Sequence, residues 1–494
     1  METYRNTIIL TCVVIYMGFC IAVGIWAMRR TKSTRDFFMA GRRLGIWVTA
    51  LAVFSSTLSG FGFVGGPGLV YRMGLSSMWM VICATIGYCV SFYLLGKRIR
   101  LFGELRDSVS LPDVVTARYN NRSCGLLTSL AIILGVIGYL ASQIKAMATV
   151  LQDIIVNSTH LESFPLEASV AISCTVLVFY CVTGGIIASV YTDVVQGLVM
   201  IVAGVLVFIA AMNAFDGGAA AATTTIMRDD PEAISPWGTL GMLGCLSWYF
   251  MFGLGGSGQP HIVTKMMMNR RVQDTKYILP VTVVGYILAA LLWISIGLVM
   301  RALVVSGAHP ALADADQAAP QFLQNYANPI LAGIVFAGLF AAIMSTADGF
   351  LNIGAAAFVH DIPKAIRGRS LKRELFWART ITVAIAVLSS IFALYSGDLV
   401  AFLGAFGWGT FAAALVPTVA IGFNWKRATP LAVNVAIVSS LAVNFAGKIF
   451  SISIPYGIDL GAVSMLISLT LFFGISLMSR PPKLDPDIEA VMDI

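Results

Sequence analysis

Two hydrophobic stretches of this chain are interrupted by small residues in the middle. Leu44 to Tyr71 is broken at Ser55-Ser56-Thr57-Leu58-Ser59-Gly60 and again at Gly65-Gly66-Pro67-Gly68. Trp237 to Thr264 is broken at Gly253-Leu254-Gly255-Gly256-Ser257-Gly258-Gln259-Pro260. Lipid offers no hydrogen-bond partners, so a membrane helix that loses its own at mid-depth must line a cavity or be packed in protein. A pair of such helices in corresponding halves of one chain points to the binding site of a secondary transporter.

Only 12% of the 494 residues are charged and 58% are hydrophobic. Soluble domains carry about 25% charged residues. The expected fold is an all-α polytopic membrane protein, a single transmembrane domain over 1–494. Apolar runs long enough to span number thirteen, near 6–28, 44–71, 75–96, 124–151, 165–183, 190–213, 237–264, 277–301, 322–357, 375–394, 397–422, 429–447 and 457–479. The net charge of +7 does not imply nucleic acid, because the basic residues fall in alternate loops. With the N-terminus outside, 26 of the 32 Lys and Arg lie in cytoplasmic loops, and Lys265 is counted among them. Thirteen spans then put the C-terminus in the cytoplasm. The eight cysteines form no C-x-x-C pair and read as apolar packing residues. The first apolar run is too long for a cleaved signal.

The broken spans are the second and the seventh. Five spans apart, they fit two inverted five-helix repeats, 44–213 and 237–422, with an extra N-terminal helix at 6–28 and two C-terminal helices over 429–479. The ninth span holds Ala341-Ala342-Ile343-Met344-Ser345-Thr346-Ala347-Asp348-Gly349. Ser345 and Thr346 bring two hydroxyls together, and Ala342 shares the face of Ser345. Hard cations want oxygen ligands. With backbone carbonyls of Ser55 and Leu58 from the first break, these residues make a sodium-sized cage. Serine and threonine in membrane helices also serve simply as interhelical glue. Asp348 weighs against that bland reading, because an ionisable group inside a span is costly and marks function by default. Asp193 sits near the end of the sixth span and is either a second functional acid or a helix-start acid. Lys145 lies mid-span, where it either neutralises an acid or meets an anionic group of the solute. Thr57, Ser59 and Gly60 in the first break, and Phe252, Gly256, Ser257 and Gln259 in the second, complete the expected solute-binding set. No metalloprotease, nucleophile-elbow or phosphate-loop motif is present, so the chain reads as no enzyme.

The chain resembles the sodium:solute symporter family along nearly its whole length. Phe37-Phe38-Met39-Ala40-Gly41-Arg42-Arg43-Leu44-Gly45 is similar to the segment before that family's first core helix. Gly184-Gly185 with Thr192-Asp193 and Gln196 is similar to its G-G…T-D-x-x-Q. Gly258-Gln259-Pro260-His261 resembles the G-Q-P-H of the sodium/proline members, and Ala341 to Asp348 resembles the sodium-site helix. The resemblance implies thirteen spans and a leucine-transporter-type core of two inverted five-helix repeats. It implies a sodium site at Ser55, Leu58, Ala342, Ser345 and Thr346. Some members bind a second sodium below the first; here Asp193 and Ser345 match that site, while Asp348 and Gly349 replace its later hydroxyls.

Three departures bear on the solute. Proline carriers of the family have aspartate where this chain has Thr57, and tryptophan and tyrosine where it has Phe252 and Gly256. Phe63 to Gly68 and Gln196 to Met200 look more like the pantothenate and monocarboxylate carriers. The expectation is sodium-coupled symport of a small carboxylate or amino acid across the cell membrane. Sodium is the coupling ion, there is no organic cofactor, and the partners are the solute and the lipid bilayer, with no obligate protein partner. A solute sensor of the same fold, a channel and a proton-coupled symporter are the rival readings.

Overall fold

The computed structural model describes residues 4–28, 44–159 and 163–494. The stretch Phe37 to Arg43, which carries the first motif, lies outside the described residues. Twenty α-helices follow in order: α1 (Arg5–Met28), α2 (Ile46–Thr57), α3 (Gly66–Met73), α4 (Met78–Leu95), α5 (Arg98–Leu105), α6 (Leu111–Tyr119), α7 (Arg122–Thr159), α8 (Leu166–Ala214), α9 (Gly218–Asp229) and α10 (Gly241–Gly255). The second ten are α11 (Pro260–Met266), α12 (Thr275–Val305), α13 (Ala318–Asn325), α14 (Pro329–Ala356), α15 (Ile362–Arg367), α16 (Glu374–Tyr395), α17 (Val400–Leu415), α18 (Pro430–Ile449), α19 (Leu460–Met478) and α20 (Pro486–Met492). Among the described residues the β structure is one isolated bridge, Leu44 with Asn269.

Among the described residues, ten helical stretches are long and apolar enough to cross a membrane. Three of the thirteen expected spans are not among them. Those at 44–71 and 237–264 are cut into short halves by their glycines. The one at 165–183 runs directly into its successor, so α8 holds two expected spans in one run of 49 residues. The polar stretch 214–236 also contains a helix, α9, rather than only a connection.

α14 is the centre of the molecule. Apart from Ile353, every residue from Val335 to Ala356 is buried. It packs against α8, α7, α1 and α16. Apolar side chains such as Val14, Leu198, Ile209, Val284, Leu388, Leu466 and Leu477 face outward. In water such a surface would be a liability, and a bilayer gives it a partner.

Both broken spans stop for visible local reasons. α2 ends at Leu58, whose backbone is extended at φ −112° and ψ 122°. One π-helical turn, Phe61–Gly65, then leads into α3. The second break has a 3₁₀ turn at Gly256–Gly258, extended Gln259, and Pro260 opening α11. Proline suits a first helical turn, where its missing N–H costs nothing. Two glycines here are dictated by close approach. A Cβ on Gly60 would fall 2.7 Å from Ala146 Cβ and 2.7 Å from Ile343. A Cβ on Gly256 would fall 2.8 Å from the backbone of Gly87.

Candidate functional site

The first break presents its backbone to α14. The Ser345 hydroxyl is 3.0 Å from the Ser55 carbonyl oxygen and 3.0 Å from that of Ala342. Thr346 Oγ1 is buried beside it with no hydrogen-bond partner. The orphaned hydroxyl and the two carbonyls are the oxygen donors a small hard cation takes. A buried hydroxyl left unpaired costs about 1–3 kcal/mol, which a bound cation would offset. The residues present therefore fit a sodium ion.

Of the two further acids of the sequence reading, Asp193 adjoins this cage through Ser55, and Asp348 turns to the α8 seam. Asp193, fully buried, pairs with Lys265: Nζ lies 2.7 Å from Oδ2. The same ammonium donates to the Ala52 carbonyl at 3.0 Å and to the Ser56 hydroxyl. Ser55 Oγ lies 3.5 Å from the other Asp193 oxygen. Asp348 accepts a 2.8 Å hydrogen bond from Ser189, on the seam between α14 and α8. Lys265 was expected in a cytoplasmic loop. It instead sits in the last turn of α11 and is only 3% exposed. The sequence signal was faint: one lysine a single residue past the apolar run.

The rest of the first break is held by α7. Gly60 N–H donates to Gln143 Oε1 at 2.8 Å, and Gln143 Nε2 donates to Ser59 Oγ at 3.3 Å. Tyr139 Oη is 3.4 Å from Ser59 Oγ. Gln143 and Tyr139 were missed; a glutamine in the apolar middle of a span was the available clue. Thr57 bonds back to the Phe54 carbonyl at 2.6 Å, and its own carbonyl accepts from Tyr88.

In the second break, Ser257 bonds back to the Leu254 carbonyl. Gly256 accepts from Ser91, and Gln259 Nε2 donates to the Gly255 and Trp408 carbonyls. Gln259 Oε1, His261 Nδ1 and Trp408 Nε1 are buried without partners. Aromatic rings bind the breaks together. Phe61 stacks on Phe252 at 6.4 Å and meets Trp293 edge-on at 5.7 Å. Phe252 also contacts Trp408 at 5.2 Å. An apolar wall with a few aimed polar groups is the usual anatomy of a small-molecule site.

Lys145 lies elsewhere. Its ammonium donates to the Asp398 carbonyl and stands 3.9 Å from Asp316 Oδ2. Asp316 accepts a 2.8 Å bond from Val400 N–H at the start of α17. Burial pushes the Asp316 carboxyl up to about 7, against the pull of the Val400 N–H and of Lys145. Its ammonium is thus taken up by a backbone carbonyl beside an acid.

At the face carrying most of the basic loops, a narrow pocket runs inward from Ser110 and Asp361 to His261, Lys265 and Gly349. Its rim is tied by charge. His360 sits 3.1 Å from both Asp113 and Glu374, and Lys364 is 2.8 Å from Asp113. Burial raises the Asp113 carboxyl, but its bonds to His360 and Lys364 outweigh that and hold it below the usual carboxylate range.

A sodium/proline symporter of Haemophilus influenzae is 28% identical over 95% of this chain and 94% of its own length. One from Escherichia coli is 29% identical over 86% and 84%. Among solved structures, a Na⁺-coupled sialic acid symporter in a substrate-bound outward-open state superposes with TM-score 0.77 at 20% identity, covering 97% of this chain and 99% of that one. Mhp1, a nucleobase-cation-symport-1 transporter, superposes at TM-score 0.57 and 14% identity, over 94% and 99%. The fold is thus that of these symporters, with the leucine-transporter-type core that the family resemblance implied. The chain is a multi-pass membrane transporter that couples a small-molecule solute to sodium, and it is not an enzyme. A profile of the sodium:solute symporter family matches residues 37–437, and the chain belongs to that family.

Proposed function

We propose that this symporter carries a small amino acid or carboxylate with an apolar body into the cell, using sodium bound by Ser55, Leu58, Ala342, Ser345 and Thr346. One observation carries the ion assignment: the Ser345 hydroxyl bridges the Ser55 and Ala342 carbonyls while Thr346 Oγ1 beside it is buried and unpartnered. The solute reading rests on the aromatic wall of Phe61, Phe252 and Trp408 and on the polar groups opposite it. The amide of Gly60, Ser59 and Gln143 would take the carboxylate, because half-helix ends of a broken span suit an anion. Thr57, Gly256, Ser257 and Gln259 frame the same place through the backbone they fix. Lys145 is left as the counter-ion of Asp316.

The driving force is physical. One sodium entering down the membrane potential gains about 2.3 kcal/mol per 100 mV, plus its concentration gradient. Coupling requires the ion to favour a solute-competent state. Ser55 and Leu58 bind the ion on one side of the break, and Ser59 and Gly60 face the solute on the other. Ordering this segment around the ion orders the pocket. We place the protein in the cell membrane with its N-terminus outside and its C-terminus in the cytoplasm, as the lysine and arginine asymmetry requires. Repeats over 44–213 and 237–422 then move against each other, beside the 6–28 helix and the pair over 429–479.

The test is uptake into proteoliposomes under an imposed sodium gradient, with proline, pantothenate and pyruvate as labelled solutes. Sodium-dependent accumulation of one of them, abolished by collapsing the gradient, is the expected result. Accumulation driven equally by a proton gradient without sodium would overturn the ion assignment.

A further inference from the structure

We infer that Lys265 is a tethered second cation. Its ammonium takes the place beside Asp193 that a second sodium would occupy, and so holds the protein to one sodium per cycle. The inference rests on the sodium site proposed above.

Around Lys265 Nζ stand a carboxylate oxygen of Asp193 at 2.7 Å, the Ala52 carbonyl at 3.0 Å and the Ser56 hydroxyl. Carboxylate, carbonyl and hydroxyl are what a free sodium would recruit. The place is also next to the first ion. Ser55 turns its carbonyl to Ser345 and its hydroxyl to Asp193. One residue thus serves two neighbouring cation positions, and the second is filled from within the chain.

Access makes this filling matter. Thr264, Lys265, His261 and Gly349 line the inner end of the cavity that opens at the basic face. A covalently attached ammonium competes with ions from solution at a high effective concentration, so it wins the carboxylate. The other acid near the proposed sodium site, Asp348, is engaged by Ser189 on the α8 seam. It therefore does not reconstitute the second site elsewhere. Lys265 also belongs to the inner half of a broken span, and its ammonium links α11 to α2 and α8.

The test is sodium-induced thermal stabilisation of the purified full chain, titrated against choline at constant ionic strength with no solute present. The wild type should respond with a Hill slope of about one. Lys265→Met should raise the slope toward two, as a second sodium enters beside Asp193. The double variant Lys265→Met/Asp193→Asn should return it to one. Asp193→Asn alone leaves the ammonium bare beside Ser55, and its half-saturating sodium should rise about tenfold. A folded Lys265→Met with an unchanged slope overturns the inference. If Lys265→Met does not fold, Asp193→Asn decides: wild-type sodium affinity there overturns it equally. A wild type that sodium does not stabilise at all removes the proposed sodium site itself, and the inference with it. Slopes of one throughout remove the inference and leave that site standing.

Discussion

Two lysine–aspartate pairs, one beside the first break and one at the start of α17, are built differently. Lys265 and Asp193 approach to 2.7 Å, and both side chains are almost wholly buried. Lys145 and Asp316 remain 3.9 Å apart. In the first pair each charge is answered mainly by the other, with Ser56, Ala52 and Ser55 filling the remaining valences. In the second, each charge is answered by backbone: Lys145 by the Asp398 carbonyl, Asp316 by the Val400 N–H. Desolvation is severe in both places. A tight pair overcomes it by contact, whereas a loose one leaves the acid close to neutral. Proximity in a contact map does not distinguish these cases; the partners of each atom do.

The largest effect should come from breaking the tight pair. Lys265→Ala in sodium-free buffer strands a buried carboxylate and should cost about 3–5 kcal/mol, read as a fall in the unfolding midpoint. Asp193 and Lys265 exchanged together should recover most of it. Next, Gly60→Ala drives a methyl to 2.7 Å from Ala146 and Ile343 and should cost about 1–3 kcal/mol by overpacking. Ser59→Ala, in the same segment, should be milder by the same unfolding assay. Thr346→Ala removes a cage oxygen from a neutral surrounding. It should raise half-saturating sodium about tenfold, near 1.4 kcal/mol, without lowering stability in choline. Lys145→Met, at the loose pair, should cost only about 1 kcal/mol, since its ammonium is held by a carbonyl.

A separate effect is a pH dependence. Asp316 is raised from the ordinary carboxylate range to about 7 in the folded protein. The folded state therefore holds a proton that the unfolded chain has lost. Stability from this group is greatest below the unfolded value near 4 and falls as pH rises toward 7. Asp316→Asn should flatten that slope between pH 4 and 7 in a thermal-unfolding series. A slope that persists in Asp316→Asn would assign it to another acid.

Much of the architecture was readable from the chain because lipid imposes a simple rule. Any break in an apolar run must have a purpose, and both breaks did. The Ala341–Asp348 turn drew notice less by its two hydroxyls, which also serve as interhelical glue, than by the carboxylate of Asp348 within the span. Lys265 was not readable. Orientation is judged by counting loop charges, and a lysine one residue past an apolar run is counted with the loop. Only the fold brings α8 across to give it Asp193. Asp316 was hidden for the opposite reason: it lies in a connection, at a 3₁₀ turn, and the buried end of α17 recruits it. Gln143 stood in plain view, but its role depends on which face of α7 meets the first break.

The Ser345 hydroxyl carries one last consequence, and it is one of counting. It has a single hydrogen and two carbonyl oxygens at equal distance, Ser55 and Ala342. A hydroxyl proton is directional and serves one acceptor well at a time. A monovalent ion's field is spherical and serves both at once. The protein has thus set a lone pair aside at the junction of its rigid central helix and its broken one. Whatever satisfies both carbonyls together stiffens that junction, and a hydroxyl by itself leaves it half-closed.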